Sequence, residues 1–200
     1  MRKHAQVRCC PACAISLRRP TTKKWNPVRY NEFRKVVFDT LTELSQSDSP
    51  IPGLSTGLRD LDTKINGLNK SDLLLIAARP AMGKSSLALN IGVNVAKKYK
   101  QTVAVFNLEM SREQLAMRLL ASESFIDMQK LATGKLSEEE WSKLCMASAA
   151  LSQTDIRIDD NPSITVAEMN AMLRRVEDLG LVIIDYLQLM TGSGYGKNSD

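Results

Sequence analysis

The stretch Leu73-Leu-Leu-Ile-Ala-Ala-Arg-Pro-Ala-Met-Gly-Lys-Ser85 decides how this chain is read. Its first six residues form a short, unbroken apolar run, the pattern of a strand buried on both faces of a sheet. From Lys84 to Lys98, Leu87, Ile91 and Val95 recur at helical spacing, so a helix follows at once. Between the two lies Arg79-Pro-Ala-Met-Gly-Lys-Ser85, in the strand-to-helix context that a Walker A phosphate loop requires. Backbone N–H groups at a helix N-terminus point at an incoming anion, and the helix dipole adds positive potential. Gly83 lets the main chain come close to a phosphate. Lys84 supplies a point charge for the β- and γ-phosphates, and Ser85 a hydroxyl for Mg²⁺. Arg79, Pro80, Ala81, Met82 and Ser86 complete the candidate ATP-binding set. The general pattern has a glycine where this chain has Ala78; Pro80, with its fixed φ, is expected to stiffen the loop instead. The competing reading is a chance Gly-Lys-Ser at a helix start.

Two acids extend the motif. Leu181-Val-Ile-Ile-Asp185 is an apolar run ending in a carboxylate, which fits a Walker B strand with Asp185 in the Mg²⁺ shell. In open α/β sheets, ligands bind outside such strand ends. Glu109 follows the strand Thr102-Val-Ala-Val-Phe-Asn-Leu108. A carboxylate there could polarise the water that attacks a γ-phosphate. It could equally be an acid placed before a helix for dipole reasons.

Outward from these motifs, strands and helices alternate from Ile51 onward. Ser111-x-x-Gln114, Ser137-x-x-Glu140 and Thr165-x-x-Glu168 are capping boxes that predict three helix starts. The second helix is expected to run to about Leu151, and the third to stop at Gly180. Ile156-Arg-Ile158 reads as a short strand, and residues 191–200 as loop. Such alternation predicts an α/β fold, a parallel sheet with helices on both faces.

The N-terminal part reads differently. Residues 1–34 hold nine of the basic residues and one acid, a balance of +8, while residues 35–200 hold 18 basic and 21 acidic residues, a balance of −3. The basic character therefore belongs to the tail and does not argue that the folded body binds nucleic acid. With no helical or strand period, residues 1–34 are expected to be a disordered segment. Phe33, Val36, Val37, Leu41 and Leu44 form one apolar stripe, so 35–50 reads as a helix and connector ending at Pro50 and Pro52. Residues 51–200 form the main domain. Cys9, Cys10 and Cys13 crowd together, with Cys145 far away, which is no disulfide framework. Cys10-x-x-Cys13 is half a zinc knuckle without a second pair, and His4 is the only histidine. Cys145 is expected in a helix core, and a reducing, cytoplasmic compartment fits the usage. No apolar run is long enough for a membrane span, and Arg18 and Arg19 interrupt any signal sequence.

Ala77-Ala-Arg-Pro-Ala-Met-Gly-Lys-Ser85, Asn107-Leu-Glu-Met110 and Ile184-Asp-Tyr-Leu-Gln-Leu-Met190 together resemble the DnaB-type bacterial replicative DNA helicases. Gly53-Leu-Ser-Thr-Gly-Leu-Arg-Asp-Leu-Asp62, Ala132-Thr-Gly-Lys-Leu136 and Ile156-Arg-Ile-Asp-Asp160 fit the same pattern, so the resemblance covers residues 35–200. It implies a RecA-like P-loop NTPase fold and a homo-hexameric ring. It also implies 5′ to 3′ unwinding of DNA driven by ATP and Mg²⁺, with primase and a helicase loader as partners. Lys84 and Ser85 match the phosphate and Mg²⁺ residues, Glu109 the catalytic glutamate, and Asp185 the Walker B acid. Alanine at 78 fits this family's loop, and the helix at 35–46 matches its linker. Residues 1–34 do not resemble the family's N-terminal domain. The segments that supply its γ-phosphate sensor, single-stranded DNA loops and arginine finger have no counterpart up to Asp200. The expectation is a helicase ATPase domain incomplete at its C-terminus, a fragment with little unwinding of its own. The alternatives are another RecA-like ATPase and a non-catalytic nucleotide-binding remnant.

Overall fold

The structure, a computed structural model, describes residues 12–16, 29–46, 51–70 and 72–189. Among these the elements run β1 (Ala12–Ser16), α1 (Tyr30–Gln46), α2 (Arg59–Ile65), β2 (Leu73–Ala77), α3 (Lys84–Tyr99), β3 (Thr102–Asn107), α4 (Arg112–Ser124), α5 (Met128–Thr133), α6 (Glu138–Ser152), β4 (Ile156–Asp159), α7 (Val166–Leu173) and β5 (Leu179–Asp185). One five-stranded sheet has the order β2-β1-β5-β3-β4. Strand β3 pairs in parallel with β4 on one side and β5 on the other. None of the described helices is long and apolar enough to cross a membrane. The expected loop at 191–200, His4, Cys9 and Cys10 lie outside the described residues.

Period-two alternation builds the core. Val103 and Val105 of β3 and Leu181 and Ile183 of β5 face one side, against Ile91 and Val95 of α3 and Leu115 and Leu119 of α4. Ala104, Phe106 and Val182 face the other side, against Ile164 and Met169 and Leu173 of α7. Both faces are thus covered by helices over β3 and β5, as a parallel sheet demands. The three capping boxes form as read: Ser111, Ser137 and Thr165 each accept from the amide three residues on, and the Gln or Glu there bonds back. Such a cap stabilises a helix by about 1 kcal/mol.

Four expectations need correction. Among the described residues, β2 is an edge strand paired with β1 alone, and Leu73 and Leu75 are exposed while Leu74 and Ile76 pack toward the core. The continuous apolar run was expected to be buried on both faces; instead Leu74 and Ile76 are half-buried against the core cluster under α3, and the opposite face is exposed. The segment read as disordered contributes β1, inserted antiparallel between β2 and β5, with Ala14 opposite Leu75 on one side and Ile184 on the other. A strand of five residues held by ladders on both sides draws its order from non-local pairing, which leaves no local period to read. Helix α7 ends at Leu173, seven residues before Gly180, and Gly180 lies inside β5. A Cβ at Gly180 would stand 2.6 Å from Gln101 Oε1, so this glycine permits a close approach of chains rather than a helix stop. Cys145 is exposed, because α6 turns Ala147 and Leu151 inward and residue 145 points away.

Helix α1 forms where the apolar stripe predicts a helix but starts at Tyr30, inside the segment expected to be disordered; none of its residues is buried, and Phe33, Val36, Val37, Leu41 and Leu44 are all exposed. Farther along, Asp62 of α2 organises the entry to the domain. Its carboxylate accepts from Ser55 Oγ at 2.6 Å, Thr56 N at 2.8 Å and Thr56 Oγ1 at 2.7 Å. Asn94 donates to the Thr56 carbonyl at 2.9 Å, and the Ser55 amide donates to Tyr99 Oη at 2.8 Å, which fixes this segment against α3. Burial alone would raise the Asp62 pKa. The hydrogen bonds from Ser55 and Thr56, with Lys98 nearby, outweigh that and hold it below the ordinary value.

Candidate active site

The loop from Ala78 to Gly83 leaves β2 and enters α3. Ala81 and Gly83 both adopt left-handed φ, +64° and +79°. That conformation costs a non-glycine residue about 1 kcal/mol, so the strain sits on Ala81 while Gly83 is unstrained. A Cβ at Gly83 would meet nothing within 4 Å, which means the space above that residue is open. Helix α3 has no side-chain cap at its N-terminus. Its first-turn amides therefore open onto the cleft, in the arrangement that favours an anion.

Lys84 turns inward from this helix start. Its Nζ lies 2.9 Å from Asp185 Oδ1, with the two side chains 11% and 3% exposed. The same ammonium sits 4.5 Å from the centre of the Tyr186 ring. Asp185 Oδ1 is buried and has no donor in hydrogen-bond alignment, so the contact with Lys84 is an ion pair of poor angular geometry. β3 and β5 end in register, with Asn107 opposite Asp185. Asn107, 2% exposed, reaches both sides of the site. Its Nδ2 donates to Asp185 Oδ2 at 3.5 Å, and its Oδ1 accepts from the amides of Glu109 at 3.0 Å and Met110 at 2.6 Å. The turn carrying Glu109 is thereby tied to the strand end carrying Asp185.

These elements enclose a cleft of about 230 Å³. Arg79, Pro80, Ala81, Gly83, Lys84, Ser85 and Glu109 from the sequence reading share it, and Asp185 lies beneath it in contact with Lys84. Met82 does not join them: it is 72% exposed and absent from the lining. Ser86 lines the adjoining groove between α3 and α4. Three lining or supporting residues were not singled out in the sequence. Arg118 of α4 brings a third cation to the cleft beside Arg79 and Lys84, Tyr186 a ring, and Asn107 the link just described. Each is a single polar or aromatic residue in a helix or at a strand end, and only the fold brings it here. Beside the cleft, the guanidinium of Arg112 and its backbone N–H hold Asp160 below the usual carboxylate range, joining the end of β4 to the start of α4. A larger cavity of about 700 Å³ lies by the other end of α3, lined by Arg59, Asp62 and Lys98 among others, and contains no residue of the phosphate loop.

The model of the DnaB-like helicase C-terminal domain matches residues 53–200. The replicative DNA helicase DnaB of Geobacillus stearothermophilus is 47% identical over 165 residues, 81% of this chain and 36% of that protein. The replicative DNA helicase DnaC of Bacillus subtilis (strain 168) is 46% identical over the same length, again covering 36% of the relative. Among solved structures, an ATPase domain superposes with TM-score 0.69 at 27% identity, covering 84% of this chain and 61% of the other. A DnaB-like replicative helicase, described with its interactions with primase, superposes with TM-score 0.65 at 27% identity, covering 88% of this chain and 42% of the other. The chain thus spans about a third of the length of these curated relatives. A parallel β4-β3-β5 core, a phosphate-type loop converging on Asp185, and a match over residues 53–200 lead to one assignment: the chain belongs to the DnaB-like helicase C-terminal domain family.

Proposed function

We propose that this chain is the ATP-binding and ATP-hydrolysing part of a replicative DNA helicase. The observation that carries the reading is the meeting of Lys84, Asp185 and Glu109 around one cleft at the C-terminal ends of β2, β3 and β5. In this reading the amides of Gly83, Lys84 and Ser85 and the Lys84 ammonium hold the phosphates. Arg79 and Arg118 add positive charge at the rim. Asp185 Oδ1 is a buried, unaligned carboxylate oxygen, and Ser85 lines the same cleft, so the residues suit a hard divalent cation. Mg²⁺ held there would neutralise charge on the β- and γ-phosphates. Glu109 orients the attacking water and accepts its proton, held at its post by Asn107.

Family membership supports coupling of this hydrolysis to movement along single-stranded DNA. It further supports 5′ to 3′ unwinding in a homo-hexameric ring, contacts with primase and a loader, and a cytoplasmic setting. In such a ring, the outward apolar stripe of α1 packs as the linker on an adjacent subunit, which accounts for its lack of buried residues here.

The test is ATP turnover by the purified chain with and without single-stranded DNA. DNA-stimulated hydrolysis abolished by Lys84→Ala supports the motor. Tight nucleotide binding with no turnover under either condition would replace it with a nucleotide-binding role.

A further inference from the structure

Within the nucleotide site just proposed, the Lys84 ammonium makes two contacts at once: the ion pair with Asp185 Oδ1 and the face of the Tyr186 ring. These contacts and a phosphate are alternatives. A lysine lying on Asp185 has spent its charge on that carboxylate, and a carboxylate neutralised by Lys84 is a poor ligand for a cation. The pair is almost fully removed from water, so neither charge is relieved by solvent. Its angular geometry is nonetheless poor, and Asp185 Oδ1 keeps an unused lone pair. Such a pair holds well against water yet yields to a better partner for either member. The Tyr186 ring presents its electron-rich face to the ammonium. Asp185 and Tyr186 are consecutive at the end of β5, so one strand end sets both contacts.

We propose that Asp185 and Tyr186 form a latch for Lys84 whose release is coupled to capture of Asp185 by a divalent cation, which makes Tyr186 a positioning residue for the phosphate-binding lysine. Nucleotide and metal then bind co-operatively through this chain's own side chains. Nucleotide without metal must first break the latch, and its apparent affinity falls by the fraction of molecules that are latched.

The test measures equilibrium binding of a fluorescent ADP (the N-methylanthraniloyl derivative) to the chain in MgCl₂ and in EDTA. For the unaltered chain, Mg²⁺ tightens binding about tenfold or more. Asp185→Asn releases Lys84, so binding in EDTA tightens about tenfold, the scale of a charge-assisted contact. The Mg²⁺-dependent gain disappears in the same variant. Tyr186→Leu tightens binding in EDTA about threefold, the scale of a cation–π contact, and Tyr186→Phe, which keeps the ring, restores the weaker value. A purely structural role for Tyr186 would weaken binding equally with and without metal.

Removing a negative charge beside phosphates could also tighten binding, so the decisive arm is a double-mutant cycle with Lys84→Ala. If the gain from Asp185→Asn vanishes in the Lys84→Ala background, the latch accounts for it. If the gain persists there at equal size, simple charge repulsion is at work and the latch is overturned. An unaltered chain that binds with Mg²⁺, but whose Asp185→Asn variant gains nothing in EDTA, overturns the latch while leaving the nucleotide site intact. A chain that binds in neither buffer overturns both.

Discussion

Asn107→Ala is the most informative single change near the site, because this side chain touches neither solvent nor the phosphate loop. It is 2% exposed and accepts the amides of Glu109 and Met110 at 3.0 and 2.6 Å. Alanine removes the Oδ1 that accepts from both amides and the weak 3.5 Å donation to Asp185 Oδ2. Two lost hydrogen bonds cost about 1–3 kcal/mol net, and leaving their donors half-buried brings the total to about 2–4 kcal/mol. For a domain of this size each kcal/mol lowers Tm by about 2–4 °C, so a fall of roughly 5–15 °C is expected. Urea unfolding measures the free energy. Amide hydrogen exchange localises it, with faster exchange expected at Glu109 and Met110. Because the phosphate loop has its own supports, Mg-ADP affinity should stay within about threefold, less than a factor worth 1 kcal/mol. A variant with unfolding energy within 0.5 kcal/mol of the parent, and unchanged exchange at those two amides, would refute the claim that Asn107 holds the Glu109 turn.

Two further expectations concern the scaffold. Asp62 titrates below its ordinary value when folded, so the stability it lends is full above about pH 4, where the unfolded chain's carboxyl is also ionised, and is lost as pH falls through the lower folded value. Asp62→Asn should cost about 2–3 kcal/mol at pH 7, and the gap to the parent should narrow below pH 4 in urea titrations at successive pH values; a gap constant with pH would contradict the assignment. Ala14→Pro removes an amide from the strand between β2 and β5, and among the described residues β1 is the only sheet partner of the strand that leads into the phosphate loop. Faster amide exchange across Leu73–Ala77 and Mg-ADP affinity weakened about tenfold, the equivalent of one lost ladder contact, are expected; parental exchange in β2 would show that β1 does not secure it.

The candidate site was legible where chemistry demands a local pattern. Gly83-Lys84-Ser85 at a helix start and Asp185 after four apolar residues are written contiguously, and the structure brings Lys84 to Asp185 across the sheet. The three capping boxes were legible for the same reason, since each closes within one turn of helix. What was not legible depends on partners distant in sequence. Strand β1 exists through pairing with β2 and β5, some sixty and one hundred and seventy residues away. The half-exposure of β2 follows from core packing on one face alone, which no run of leucines reveals. Gly180 looked like a helix stop because glycine serves both that purpose and close chain approach, and the nearness of Gln101 decides between them. Asn107 was visible as part of a phrase, but its role needs β3 and β5 to end in register.

The central claim is that the loop at residues 79–85 and the acid at 185 together hold a nucleoside triphosphate with its magnesium. Calorimetric titration of the folded chain with Mg-ATP, beside its Lys84→Ala variant, tests this most directly. The account predicts saturable one-to-one binding by the parent and a loss of about a hundredfold or more in the variant, the scale of a buried charge-assisted phosphate contact. Equal affinities, or no heat with either protein, would contradict it.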